Sequence, residues 1–157
     1  ICTRDAHVQP DPVKGIAHFR DQLAKRGIEL IVMPMPVKPC IEGDKLGARA
    51  GTALHNVSHA EFLARLAKEK VRVFDPTPLL LARKPAPQYL ETDTHWRPEA
   101  MEFIAQKLAS EIQPGIAPAE SPVVEKKIAA LGDIAALLGL PQSQQFFKPE
   151  KIGRAHV

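Results

Sequence analysis

Ile28-Glu-Leu-Ile-Val-Met33 is an apolar run that a single glutamate interrupts. Its length and its content of β-branched residues favour a strand that is buried on both faces, as the strands of a parallel sheet are. Pro34 follows directly and ends the run, because proline cannot donate a hydrogen bond to a neighbouring strand. The run therefore predicts a central strand of a parallel sheet.

Helices are expected on both sides of this strand. One should begin at Pro12, since proline favours the first helical position, and a second should follow a capping box formed by Ser58 and Glu61. A second short strand is expected over residues 71–74, and a third helix from Pro98. Helices and strands thus alternate along the chain.

The order helix, strand, helix, strand, helix predicts an α/β fold. Short connections between these elements imply right-handed crossovers, and hence a three-layer sandwich with a mostly parallel sheet. The 157 residues suit a single domain, residues 1–157. The pattern weakens beyond Gly115, where residues 123–140 are expected to be helical in two pieces.

Composition argues against several classes of protein. The sequence has 21 lysines and arginines and 18 acidic residues, which gives a net charge of +3. The basic residues are scattered along the chain and do not indicate a nucleic-acid partner. No apolar run approaches the roughly 20 residues that span a bilayer. Cys2 and Cys40 could form one disulfide or be two buried thiols, and the sequence leaves both open.

The most reactive pattern in the sequence is Thr92-Asp-Thr-His-Trp96, just ahead of the helix expected from Pro98. A carboxylate beside a histidine can hold the ring in one tautomer and stabilise its protonated form. We therefore predict Asp93 as an orienting acid and His95 as a general base, with their side chains within hydrogen-bonding distance at the carboxyl edge of the sheet. The alternative is that the pair caps the helix and accepts backbone hydrogen bonds.

A metal site is a weaker possibility elsewhere in the chain. His55 and His59 are four residues apart and would share one face of a helix that carried both. Ser58 as a cap would leave His55 outside that helix, and no third ligand stands out. We therefore predict neither a metal nor a cofactor.

Three segments together resemble a known family: Leu30–Pro39, Val71–Asp75 and Tyr89–Met101, with weaker similarity over Gly132–Pro141. The family is that of the alginate O-acetyltransferases, which carry an SGNH-hydrolase-like (flavodoxin-like) domain and act on bacterial exopolysaccharides. The resemblance implies a Ser-His-Asp mechanism in which Asp93 orients His95 and His95 is the base. It also implies an exopolysaccharide and an acetyl donor as partners, other proteins of an acetylation or secretion complex, and a periplasmic or extracytoplasmic location.

Two further residues, Trp96 and Lys38, are predicted to bind substrate because of their side-chain chemistry. Trp96 could stack on a sugar ring or pack beneath the His95 loop as part of the core. Lys38 could hold an acidic sugar, anchor the loop, or be solvated. The function implied is a polysaccharide O-acetyltransferase or acetylesterase. The alternatives are a noncatalytic glycan- or partner-binding domain of the same fold, and a flavodoxin-like regulatory domain.

The nucleophilic serine of the family, which follows Gly-Asp, has no counterpart in this sequence. Neither Gly-Asp pair is followed by serine, because Lys45 follows the first and Ile134 follows the second. We expect a chain that is truncated on its C-terminal side or a degenerate relative that keeps the fold and a cleft. Without a nucleophile the acyl-enzyme route is lost, and this chain alone is expected to be inactive.

Overall fold

The computed structural model of the protein describes residues 11–47, 54, 56–115, 123–124, 128–141, 143–152 and 155–156. The helices in this part of the chain are α1 (Pro12–Ala24), α2 (Lys38–Ile41), α3 (His59–Lys68), α4 (Thr77–Leu81), α5 (Pro98–Ile112) and α6 (Asp133–Leu137), with a 3₁₀ turn at Gly43–Leu46. The strands are β1 (Ile31–Val32), β2 (Arg72–Val73), β3 (Val123–Val124), β4 (Ile128–Ala130), β5 (Glu150–Ile152) and β6 (Ala155–His156).

The chain divides into two compact units. The first consists of Ile1–Pro34 and His55–Asp75, and the second of Met35–Leu54 and Pro76–Val157. That residues 1–157 form a single domain stays a prediction. Among the described residues, none of the helices combines the length and the apolar character that crossing a bilayer requires.

The first unit contains the predicted parallel pair of strands. β1 lies beside β2, with Val32 opposite Val73. α1 begins where predicted, because the Asp11 side chain caps it by accepting a hydrogen bond from the Val13 amide at 3.1 Å. Side chains of α1, α3 and the strands form its core: Val13, Ile16, Val32, Phe62, Leu66, Val71 and Val73.

Two expectations for the first unit are wrong. β1 covers two residues, and its side chains are half-buried instead of buried on both faces. Ile28 belongs to the turn that ends α1, because its amide donates to the Leu23 carbonyl at 3.0 Å beyond Gly27, whose φ is 70°. Ser58 forms no capping box, since its hydroxyl donates to the nearby Asn56 Oδ1 at 2.8 Å.

In the second unit, α4 contacts both α2 and α5. Cys40 is a buried thiol without a disulfide partner among the described residues, and Cys2 lies outside them. The helices of this unit and the segment before α5 supply the buried apolar residues: Cys40, Ile41, Leu80, Tyr89, Leu90, Ala100, Ile104 and Ala135. This packing supports the segment between α4 and α5, which contains Asp93 and His95.

The expectation of two helical pieces over residues 123–140 is wrong for its first part. β3 pairs with β6 and β4 pairs with β5, both antiparallel. Valine and isoleucine suit a pleated surface, and pairing with a later part of the chain overrides an apolar spacing that also fits a helix. α6 supplies the helical second part. The helices and the parallel pair give the α/β class that the sequence predicts.

Candidate active site

The predicted acid and base lie on a short hairpin ahead of α5. Tyr89 and Trp96 form an isolated antiparallel bridge, and the Leu90 amide donates to the His95 carbonyl at 3.2 Å. Residues 91–94 form the tip of this hairpin, called the tip loop below. The bridge fixes the backbone on both sides of the tip loop, so the acid is held within it and the base at its end.

Asp93 and His95 contact each other as predicted. Asp93 Oδ1 lies 2.6 Å from His95 Nδ1 and also accepts a hydrogen bond from the His95 amide at 2.8 Å. The Asp93 side chain is 15% exposed and that of His95 is 73% exposed. Nε2 of His95 has no hydrogen-bond partner among the described residues. An ionised Asp93 therefore keeps a proton on Nδ1 and leaves Nε2 as the nitrogen that can accept one.

The charges of the pair reinforce each other. The hydrogen bond to Asp93 and the negative charge of Asp93 raise the pKa of His95 above its ordinary value, and the charge of Asp133 adds to this. Burial acts to raise the pKa of Asp93, but hydrogen bonds from His95 and from the Asp133 amide outweigh it and lower that pKa. The imidazolium that a general base forms is thus stabilised, and the carboxylate stays ionised.

A segment from the start of α6 packs directly on the tip loop, a contact that no local pattern in the sequence predicts. The Ile134 amide donates to the Thr92 carbonyl at 3.1 Å, and the Asp133 amide donates to Asp93 Oδ2 at 3.1 Å. A Cβ atom added to Gly132 would overlap the Thr92 carbonyl and lie 2.7 Å from the Asp93 nitrogen. The available signal was the glycine itself, since glycine permits close approach of two backbones.

Lys38, predicted to bind substrate, holds the tip loop from the side of α2. Its Nζ donates to the carbonyls of Leu90 and Glu91, both at 2.6 Å, and of Asp93 at 3.1 Å. Burial and the positive charge of Lys45 lower the pKa of Lys38, and together they outweigh the nearby carboxylates, which raise it. Three carbonyls thus accept hydrogen bonds from the three N–H groups of the ammonium. This is the arrangement expected if Lys38 anchors the loop. A contact between Lys38 and substrate stays a prediction.

A groove of about 510 Å³ lies beside His95 in the second unit. Its walls are mainly apolar, and half-buried Trp96 forms part of them. The bridge to Tyr89 places Trp96 in the hairpin, so its ring is partly packed and partly open to the groove. The lining residues are Met35, Pro36, Val37, Lys38, Pro39, Tyr89, Thr94, His95, Trp96 and Ile134.

No serine of the described residues lines this groove. The Ser58 hydroxyl donates to Asn56, and the Ser110 hydroxyl donates to the Gln106 carbonyl within α5 at 2.9 Å. Ser121 lies outside the described residues. The described part of the site therefore contains the predicted acid and base without a serine nucleophile.

Three side chains of the site could hold a metal ion. Asp93, His95 and Asp133 each present one ligand atom, and these atoms lie within 4.8 Å of one another. The same atoms already take part in contacts of the tip loop, which account for their closeness without an ion. Of the two histidines considered as a metal pair, His59 begins α3 and His55 lies outside the described residues.

A buried carboxylate supports the base of the hairpin. The Glu42 side chain is 2% exposed, and it accepts hydrogen bonds from the Gln88 amide at 2.8 Å and from Lys84 Nζ at 2.7 Å. Lys84 Nζ also lies 2.8 Å from Asp44. Burial acts to raise the pKa of Glu42, but the hydrogen bonds from Lys84 and Gln88 lower it. Glu42 is thus an ionised anchor for the strand that leads into the tip loop.

Residues 3–157 match the model of a family described as the SGNH hydrolase-like domain of the acetyltransferase AlgX. The chain is 32% identical over 107 residues to a probable alginate O-acetylase AlgJ of Pseudomonas syringae pv. tomato, which covers 66% of this chain and 27% of that protein. It is 34% identical over 102 residues to the probable alginate O-acetylase AlgJ of Pseudomonas fluorescens, covering 64% of this chain and 25% of that protein. The chain thus spans about a quarter of the length of these relatives.

Two solved structures resemble the fold. The O-acetyltransferase domain of Pseudomonas putida AlgJ aligns with a TM-score of 0.67 and 25% identity, over 90% of this chain and 53% of that one. AlgX of Pseudomonas aeruginosa aligns with a TM-score of 0.54 and 21% identity, over 92% of this chain and 39% of that one. The predicted SGNH hydrolase-like α/β fold is confirmed.

Proposed function

This chain belongs to the family of the SGNH hydrolase-like domain of the acetyltransferase AlgX, and from that membership we propose that it is the acid–base part of a polysaccharide O-acetyltransferase. The observation that supports this most directly is the 2.6 Å contact between Asp93 and His95 Nδ1, with the imidazole exposed beside a groove. A carboxylate that holds one ring nitrogen leaves the other to accept a proton from an alcohol.

The reaction we propose has two steps. A serine hydroxyl gives its proton to His95 Nε2 and attacks the carbonyl carbon of the acetyl donor. The donor's leaving group takes that proton and departs, which leaves an acetyl ester on the serine. A sugar hydroxyl then gives its proton to Nε2 and attacks the acetyl carbon, and the proton returns to the serine oxygen. Water in place of the sugar would give an esterase, so exclusion of water selects the outcome.

We propose that the serine lies on a part of the parent protein that these 157 residues do not include. Three observations support this. Neither Gly-Asp pair of the chain is followed by serine, and no serine of the described residues lines the groove. The family domain matched here occupies a fraction of its longer relatives. The parent protein would then bring a nucleophile to the exposed face of His95.

The substrate we propose is an exopolysaccharide with acidic sugars, because the relatives are named as probable alginate O-acetylases. Trp96 offers an indole wall of the groove on which the apolar face of a sugar can stack. Lys38 adds positive charge to the same wall while it anchors the tip loop. A periplasmic or extracytoplasmic location and association with an acetylation or secretion complex belong to this proposal.

The test is acetyl transfer by the full-length parent protein, with 4-nitrophenyl acetate as donor and an alginate oligosaccharide as acceptor. His95→Ala and Asp93→Asn are expected to lower kcat by about 10³-fold or more, because the base or its tautomer is lost. His18→Ala is the matched control, since His18 is an exposed residue of α1 whose ring contacts Gln22. An unchanged rate in both site variants would contradict the proposal.

Incubation of the parent protein with the same donor and acceptor also distinguishes the proposed enzyme from the alternative, a noncatalytic binding domain. That alternative is suggested by the mainly apolar groove and by the absence of serine among its described lining residues. It predicts that the parent protein binds the oligosaccharide without forming an acetylated serine. Mass spectrometry of the protein after incubation with the donor decides between them, because the enzymatic mechanism requires a covalent acetyl group.

A further inference from the structure

A second carboxylate, that of Asp133, is hydrogen-bonded to the tip loop. Its Oδ1 accepts from the Thr94 amide at 2.7 Å, and its Oδ2 accepts from the Thr94 hydroxyl. Its backbone amide donates to Asp93 Oδ2 at 3.1 Å. Oδ2 also lies 3.8 Å from His95 Nδ1. Asp133 therefore contacts Asp93 and Thr94 directly and lies next to the ring that they position.

We propose that Asp133 is a positioning residue of the site, which fixes the tip loop so that Asp93 and His95 keep their mutual geometry. This rests on the proposed function, because it assigns a role within the same proton-transfer pair. Thr94 lies between the acid and the base, so a bond to its amide and hydroxyl restricts the backbone that separates them. The Asp133 backbone amide donates a hydrogen bond to Asp93 Oδ2, so that Oδ1 is the oxygen that contacts His95. Each carboxylate oxygen of Asp93 thus has a defined partner.

The charge of Asp133 acts in the same direction as its geometry. Four charged side chains contact the His95 ring or the tip loop. The carboxylates of Asp93 and Asp133 lie beside the ring, the Lys38 ammonium donates to carbonyls of the loop, and the Glu150 carboxylate accepts from the Glu91 amide. Two carboxylates beside one ring nitrogen favour the protonated ring more than one does. Asp133 therefore both holds the loop and stabilises the imidazolium.

Two substitutions separate these effects. Asp133→Asn keeps an oxygen for the Thr94 amide and removes the charge, whereas Asp133→Ala removes both. We expect NMR titration of His95 in this chain to give a lower pKa in both variants than in the original protein. The Thr94 amide resonance should move strongly in Asp133→Ala and little in Asp133→Asn. Asp93→Asn is the positive reference, and Asp21→Asn, which changes an exposed carboxylate of α1, is the matched control.

The outcome that overturns the inference is a His95 titration in both Asp133 variants that coincides with that of the Asp21→Asn control. A role in folding alone would lower the melting temperature of Asp133→Asn without moving that titration. The Asn variant also keeps the test valid if the Ala variant does not fold. Each result therefore supports or contradicts a role in positioning.

Activity of the full-length parent protein distinguishes failure of this inference from failure of the proposed function. Asp133→Ala is expected to lower kcat/KM for acetyl transfer by up to about 100-fold, since small misplacements of a catalytic group cost that much. Asp133→Asn should recover part of that loss and shift the rising acid limb of the pH profile to lower pH. If Asp93→Asn abolishes transfer and both Asp133 variants are fully active, the inference fails and the function stands. If Asp93→Asn is fully active, the function itself fails.

Discussion

The two carboxylate oxygens of Asp93 have different hydrogen-bond partners, and these partners determine which ring nitrogen of His95 is protonated. Oδ1 accepts from both the ring and the amide of His95, while Oδ2 accepts from the Asp133 amide. A carboxylate free to rotate would let the ring adopt either tautomer. One held on both oxygens presents a single acceptor to Nδ1, so a neutral His95 carries its lone pair on Nε2. The site thus fixes the protonation pattern that a general base needs before any substrate binds.

Gly132→Ala is predicted to disturb this arrangement without touching either titrating group. The added Cβ would overlap the Thr92 carbonyl, a backbone atom that the neighbouring contacts hold in place. We expect the free energy of unfolding to fall by about 1–3 kcal/mol, as for other overpacked sites. The pKa of His95 should fall toward its ordinary value as Asp93 loses the Asp133 amide. Urea unfolding and NMR titration measure the two effects.

Gly15→Ala is the control for this prediction. A Cβ added to Gly15 meets nothing within 4 Å, and the residue lies inside α1. Alanine favours a helix over glycine by up to about 1 kcal/mol, so this variant should be as stable as the original or more so. A Gly132→Ala variant that matches Gly15→Ala in stability and in His95 titration would show that the close approach is unimportant.

Sequence could identify the residues of the pair but not those that hold it. Asp93 and His95 are two positions apart, so local spacing was enough to predict their contact. Asp133 is 40 residues from Asp93, and its role follows from a tertiary contact that no local pattern encodes. For Lys38, loop anchoring was only one of three alternatives, because the sequence does not show where an ammonium points.

At the scale of elements, the hairpin before α5 is held on several sides by charged groups. Lys38 from α2 donates to carbonyls of the tip loop. Glu150 of β5 accepts from the Glu91 amide at 2.7 Å and from Arg97. Glu42 accepts from the Gln88 amide at the base. These contacts fix a segment that has little regular structure of its own, which is how a loop can position catalytic groups.

Glu42→Gln is predicted to weaken the base of this hairpin. The Glu42 side chain is 2% exposed and pairs with Lys84. Removing the carboxylate charge leaves the Lys84 ammonium poorly compensated, so the free energy of unfolding should fall by about 3 kcal/mol near pH 7. The pKa of Glu42 is lowered on folding, so its contribution is complete above its ordinary value of 4.5 and is lost as the pH falls through the folded value. The difference in free energy of unfolding between Glu42→Gln and the original protein should therefore become smaller below about pH 4.5.

Asp44→Asn provides the matched control, because Asp44 pairs with the same lysine but is 35% exposed. Removing its charge should lower the free energy of unfolding less than removing that of Glu42, because exposed ion pairs contribute little to stability. Hydrogen exchange of the Gln88 amide locates the effect, since that amide donates to Glu42. The assigned role of Glu42 would be contradicted if both variants lost the same free energy of unfolding. It would also be contradicted if the Gln88 amide exchanged no faster in either variant than in the original protein.

Helices were easier to predict than strands in this chain. α1, α3 and α5 begin at or next to the expected positions because their signals are local. The apolar run at residues 28–33 contains a strand of only two residues, because the turn that ends α1 takes up its first residue. β3 and β4 were expected to be helical from their apolar spacing. That pattern cannot reveal partners that lie 20 or more residues later, which are β6 for β3 and β5 for β4.

The 157 residues together carry the proposed acid and base on a recognisable fold. The family match extends over residues 3–157, yet the chain spans about a quarter of its curated relatives. Acid, base and groove all lie in the second unit, which also contains the contacts that position them. The contact between Asp93 and His95 is therefore formed within the second unit alone, as our proposal of a nucleophile elsewhere in the parent protein requires.

The last prediction concerns this chain without the rest of the parent protein. We expect it to hydrolyse 4-nitrophenyl acetate no faster than its own His95→Ala variant, because a base without a nucleophile cannot form the acetyl-enzyme. NMR titration of His95 checks that the pair is assembled, since contact with Asp93 raises the pKa of the ring. Turnover that His95→Ala abolishes would mean that the chain contains its own nucleophile. Alanine substitution of each serine, Ser58, Ser110, Ser121 and Ser143, would then identify it.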